Sequence, residues 1–175
     1  MLLQPEAELA GTNPAKTLDH KLSAAMKKSV LVISTLDTKG QETLYLKDKL
    51  SAIDLQPVLM DISGRGSDMA GIDIPADRVA EAGGGSFEEL QASRDRTRVT
   101  NIMMAGGCRI ARNLLKDGNL DGVIGMGGST GSLMASEIMR SLPFGVPKVI
   151  FLPRPPCPVF QPAISEPGIL PSFIR

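Results

Sequence analysis

The sequence predicts a three-layer α/β domain built on a mainly parallel sheet of about four strands. Short apolar runs rich in β-branched residues at 29–35, 56–62, 123–124 and 148–150 alternate with longer segments of helical period, the pattern of strands joined by crossover helices. The first and third runs each lead into a polar or glycine-rich stretch, and open α/β sheets bind ligands beyond the carboxyl ends of their strands.

Residues 1–25 have no sustained period and are broken by Gly11, Asn13 and Pro14; they read as an N-terminal extension to a domain at 26–150. Ser29–Thr35 is the first buried strand. The polar loop Thr35–Gly40 follows, and Gln41–Ile53 has the apolar spacing of a helix at Leu44, Leu46, Leu50 and Ile53. Thr35, Asp37, Thr38 and Lys39 are therefore candidate ligand contacts, with helix capping by Asp37 or Thr38 as the alternative. Gln56–Ile62 is the second strand; its Asp61 stands where an acid can hold a ribose hydroxyl in dinucleotide-binding folds, or where it can serve a turn. Residues 63–71, with three glycines and Arg65, read as a loop.

Pro75 suits the first turn of a short helix, which Gly83–Ser86 ends. From Phe87 to about Lys116 the chain reads as mainly helical; Arg94, Arg96 and Arg98 could meet an acidic partner, with a solvated helix face as the favoured reading. Gly106 and Gly107 allow a bend or a close approach in that helix, and Gly118 supplies its stop. Pro143–Pro147 then leads into the strand Lys148–Ile150.

The chain is organised around Asp121–Gly131. Val123 and Ile124 form a short strand, glycines 125, 127, 128 and 131 turn the backbone, and Leu133, Met134, Ile138 and Met139 give a helix. A strand, small-residue loop and helix start leaves free amides at the positive end of the helix dipole, where an anion can approach the bare backbone. Gly127, Gly128, Ser129, Thr130 and Gly131 are the expected phosphate contacts, with Thr35, Asp37 and Thr38 lining the same crevice. Mg²⁺ is expected to accompany the phosphates, with Asp37 as its carboxylate, directly or through water. The alternative is that the glycines serve helix-on-strand packing alone.

Other chemistries fail on their partners. Gly127–Gly131 matches G-x-S-x-G, but the single histidine, His20, precedes the fold core, whereas that elbow needs a histidine after its serine. One histidine and two distant cysteines, Cys108 and Cys157, make no zinc site. Neither a Walker A motif nor a strict G-x-G-x-x-G occurs.

Composition narrows the class further. Lys plus Arg and Asp plus Glu both total 19, which gives no basic stripe for general nucleic-acid binding. Five Phe, one Tyr and no Trp offer no platform for stacking bases. Two cysteines form no disulfide framework, the start lacks the pattern of a signal peptide, and no run approaches membrane-spanning length. A cytoplasmic protein without a membrane span is expected. Residues 151–175 hold seven of the 13 prolines and show no period; they read as a proline-rich irregular tail or a frameshifted end.

Three blocks, Val30–Glu42, Asp121–Gly131 and Met139–Lys148, together resemble the ATP-binding family of the tomato protein that confers tobamovirus resistance and its uncharacterised bacterial and fungal relatives. The resemblance spans Lys27–Ile150. It implies a Rossmann-like domain, the N-terminal half of a two-domain protein, that binds ATP and forms a homodimer. On that basis the chain is expected to be an ATP-binding domain of unknown physiological role. The alternatives are a non-catalytic dimeric scaffold domain and a truncated product without function.

Overall fold

The computed structural model describes residues 27–151. The expected extension at 1–25, His20, Cys157 and the proline-rich segment after Phe151 lie outside the described residues.

Four strands form one parallel sheet: β1 (Ser29–Ser34), β2 (Gln56–Asp61), β3 (Gly122–Met126) and β4 (Lys148–Phe151), in the order β2-β1-β3-β4. β1 is central because it can be buried on both faces. Leu31, Val32 and Ile33 are fully inaccessible, and burying each such side chain contributes about 1.5–3 kcal/mol. The strand's alternation divides the core. Val30 and Val32 pack with Leu59 of β2 and with Leu46 and Leu50 of α1 (Leu36–Ala52). Leu31 and Ile33 face the opposite layer, made by α2 (Ala76–Gly83), α4 (Arg96–Lys116) and α5 (Ser129–Arg140). Helices thus cover both faces of the sheet, as the alternating pattern requires.

Two expected helices differ in detail. α1 begins at Leu36 rather than Gln41, because Leu36–Lys39 makes a helical turn that ends in a kink at Lys39, whose backbone is non-helical. The long helical stretch from Phe87 divides into α3 (Phe87–Ala92) and α4. Asp95 separates them: its backbone is extended and its carboxylate accepts a hydrogen bond from Arg98 N at 3.0 Å, which starts a new helix. Gly106 and Gly107 do not break α4. A Cβ at Gly106 would collide with the carbonyl of Val79 on α2, and one at Gly107 with Ile138 on α5, so close approach is their use.

The two sheet edges are unequal. Along β2, Leu59 N donates to Asp73 Oδ2, and Ile74 exchanges backbone hydrogen bonds with Leu59 and Asp61. At β4 all four residues are exposed, and Val149, Ile150, Phe151 and nearby Phe144 present apolar surface.

Candidate functional site

The chain leaves β1 toward β2 on one side and β3 toward β4 on the other. The carboxyl ends of β1 and β3 therefore flank the switch point of the sheet, where doubly wound folds place their ligand crevice. A cleft of about 370 Å³ opens there, within the usual size range of small-molecule sites. Thr35, Asp37 and Thr38 line it from the loop after β1, and Gly128, Ser129, Thr130 and Gly131 from the loop after β3. Ile62, Ser63 and Gly64 contribute from beyond β2, and Arg96 and Thr100 from α4.

Of the eight residues expected at the phosphates or lining their crevice, seven thus meet in one cleft. The eighth, Gly127, is buried behind it. A Cβ there would lie 2.8 Å from Gly131 Cα and 3.1 Å from Ser132 N, so only glycine lets the chain fold back on the first turn of α5. Ser132 Oγ donates to Gly127 O at 3.0 Å and fixes this turn from inside. Gly128 is the N-cap of α5; no side chain caps the helix and no acid occupies its first turn. The exposed residues Gly128–Thr130 therefore carry the positive end of the helix dipole into the cleft.

The first loop is held differently. Thr35 O accepts from Thr38 N at 3.1 Å and Lys39 N at 2.8 Å. Neither Asp37 nor Thr38 caps α1: the N-cap is Thr35, without a side-chain cap bond, and Thr38 Oγ1 lies 3.2 Å from Thr35 Oγ1. Lys39 pairs with Glu42 at 2.7 Å and does not line the cleft. That contact holds the Glu42 carboxyl below its ordinary range. Asp121, at the opposite ends of the strands, is structural; it accepts from Lys28 Nζ and Ser29 N, and Lys28 lowers its pKa.

Asp61 is fully buried beneath the first loop. Its Oδ1 accepts from Leu36 N at 3.2 Å and Ser63 N at 2.9 Å, while its Oδ2 has no hydrogen-bond partner. Burial pushes its pKa up; hydrogen bonding from Ser63 and Leu36 opposes the rise, and the charge of Asp37 adds to it.

Arg96, which the sequence puts in a basic run without assigning it to the cleft, is a lining residue. Arg98 of the same run pairs with Glu89 at 3.7 Å, whereas Arg96 lines the cleft and forms no ion pair with another described residue. A helix start at Asp95 was the available signal, since it turns the first helical residue toward the strand ends. Asp37 is the one carboxylate among the described lining residues, and no three described His, Cys, Asp or Glu side chains converge as a metal site. A Mg²⁺ ion here would need ligand oxygens and water besides Asp37. Ser129, the serine of the elbow motif, has no histidine among the described residues to activate it.

Sheet order, layering and cleft define a Rossmann-like α/β domain with its opening at the switch point. The model of the Uncharacterised protein family (UPF0261) N-terminal domain matches residues 28–152, and the chain belongs to that family. A UPF0261 protein of Clostridium tetani is 36% identical over 125 residues, 71% of this chain and 31% of the relative. UPF0261 proteins of Brucella suis and Rhizobium meliloti are each 36% identical, covering 69% and 70% of this chain and 29% and 30% of their own lengths. The chain thus spans less than a third of these relatives. The expected kinship with the ATP-binding family of the tomato resistance protein is corrected accordingly. The matching model and these relatives carry the UPF0261 name, nothing among them indicates that family, and the blocks at 30–42, 121–131 and 139–148 fall inside the matched span. Among the described residues no helix is long and apolar enough to cross a membrane.

Proposed function

We propose that this domain binds the phosphates of a nucleotide at the switch-point cleft, with ATP as the ligand and Mg²⁺ as its counter-ion, in the cytoplasm. The uncapped start of α5 facing the same cleft as Arg96, which has no ion-pair partner among the described residues, carries this reading. Helix-terminal amides suit phosphate oxygens, and a guanidinium adds charge and a two-pronged donor. Thr35, Thr38, Ser129 and Thr130 supply hydroxyls around them, and Asp37 can hold a magnesium-bound water.

The test is thermal unfolding of the full chain with millimolar Mg-ATP, with Mg-GTP and NAD as comparators. A ligand present at about 100 times its Kd adds about 2.7 kcal/mol, a shift of several degrees. Arg96→Ala is expected to weaken ATP about tenfold, a loss of about 1.4 kcal/mol. A cooperative transition that none of the three ligands moves would overturn the reading.

A second reading, a scaffold domain that forms a homodimer, is favoured by the exposed apolar residues of β4, whose outer edge no described strand pairs. Concentration-dependent sedimentation that is indifferent to ATP would support it.

A further inference from the structure

The strand β4 is finished on one side only. Val123 N donates to Pro147 O, so the alternation of a parallel pair turns the backbone groups of Val149 and Phe151 toward β3 and those of Lys148 and Ile150 outward, where no described strand takes them. Its two faces are unequal as well. Ile150 pairs with Gly125 and lies on the side that α5 covers. Val149 and Phe151 pair with Ile124 and Met126 and share the side of α1, but α1 packs over Val30, Val32 and Leu59, and the cluster it makes with them stops at Ile124. Beyond that point Val149 is 56% and Phe151 53% exposed. Parallel strands are normally covered on both faces, and free edges are normally guarded by charge, above all by lysine. β4 has neither protection. Its one charged residue, Lys148, folds its ammonium back to Pro143 O at 2.8 Å and Val146 O at 3.3 Å.

We propose that the outer edge and the bare α1-side face of β4 dock the part of the UPF0261 chain that follows the N-terminal domain in its relatives. One strand of that part takes the outward backbone groups of Lys148 and Ile150, and its apolar side chains cover Val149 and Phe151. The family match chooses this occupant. It ends at residue 152, one position beyond β4, and the matched span is less than a third of each relative's length, so in those proteins the further chain departs from the strand that lacks cover. A second copy answers the need less well. Two-fold antiparallel pairing of β4 with β4 would lay the copy's own bare face beside the first and widen the apolar strip instead of covering it. The proposal is independent of nucleotide binding, and it competes with the homodimer reading for the same edge.

The test is amide exchange at Ile150, followed by NMR in the full chain alone and with the separately produced downstream part of the Clostridium tetani relative. Alone, this amide is expected to exchange rapidly at every chain concentration. With saturating partner it should slow at least about tenfold. Val149→Lys and Phe151→Lys should each weaken the association about tenfold, whereas Tyr45→Ser, at a 65% exposed position of α1, should leave it unchanged. Either β4 variant suffices if the other fails to fold. Protection of Ile150 in the dilute chain alone would assign the edge to another segment of this chain, and protection that grows with concentration would assign it to a second copy. Each of these results overturns the proposal, as does rapid exchange in the presence of the partner.

Discussion

The two loops that face each other across the cleft occupy equivalent places, each following an inner strand of the sheet, but they use their polar groups in opposite ways. After β1, Thr35 O collects two backbone amides, Asp61 takes the amide of Leu36, and Lys39 is tied to Glu42. After β3, the internal bonds from Ser132 hold the turn from beneath, and no side chain caps the exposed start of α5. One loop is a self-satisfied wall; the other is a receptive surface. Equivalent topology therefore does not confer equivalent chemistry, and what decides is whether acceptors elsewhere in the fold have already claimed the loop's amides.

The largest break in this contrast is expected from Gly127→Ala. Its Cβ would meet only backbone atoms, Gly131 Cα and C and Ser132 N, none of which can rotate away. The receptive loop must shift as a unit, so unfolding in urea should show a loss of about 2 kcal/mol, and ATP should no longer protect the chain. Gly128→Asp sharpens the contrast from the other direction. A Cβ at Gly128 meets nothing within 4 Å, and a carboxylate at an N-cap favours the helix. Calorimetry should show ATP affinity falling at least about tenfold, while the ligand-free chain gains about 0.5 kcal/mol. Stability and binding would then move in opposite directions, and a parallel loss of both would contradict an anion-receptive helix start.

A smaller effect tests how closely the loops touch. A Cβ at Gly131 would lie 3.0 Å from Thr35 Cγ2, and a β-branched side chain has little freedom to yield. Gly131→Ala should therefore cost about 1 kcal/mol alone. With Thr35→Ser, which removes that methyl, it should become neutral or stabilising through helix propensity. A double-mutant cycle with no coupling would show that the loops are independent.

The smallest effect is on pH dependence. Burial raises the Asp61 pKa, so the folded chain binds this proton more tightly than the unfolded chain. Its contribution is therefore fully present below the unfolded pKa, near pH 4, and is lost as pH rises through the higher folded value. Glu42 and Asp121, both lowered, act in the opposite sense and cancel when the native chain is compared with Asp61→Asn. Relative to the native chain, Asp61→Asn should gain stability from about pH 4 upward; a flat difference would remove burial as the dominant influence on this carboxyl.

Most of this architecture was legible in the residues. Continuous apolar runs identify strands buried on both faces, so β1, β2 and β3 could be placed within a residue or two. The glycine loop was legible as a turn from strand to helix at the strand ends, but not the division of labour within it: Gly125, Gly127 and Gly131 permit close packing, while Gly128 lies open at the cleft. The sequence reading misjudged what depends on tertiary neighbours. Arg96 and Arg98 are two residues apart in one basic run, yet one meets Glu89 and the other lines the cleft; only the path of α3 into α4 separates them. Ser63 belongs to a glycine-rich stretch that reads as a plain loop, and its burial comes from packing at the strand ends. The resemblance to the tomato family is overturned by the UPF0261 match, which covers residues 28–152 and all three blocks that carried it.

The inequality of the sheet edges fixes a valency. At β2, Leu59 N, Leu59 O and Asp61 N are already engaged by Asp73 and Ile74, while no described strand pairs with the outer edge of β4. A sheet with two open edges can grow without limit, as fibres do. Among the described residues this sheet can be extended at β4 alone, so one added strand, whatever supplies it, would occupy the free edge.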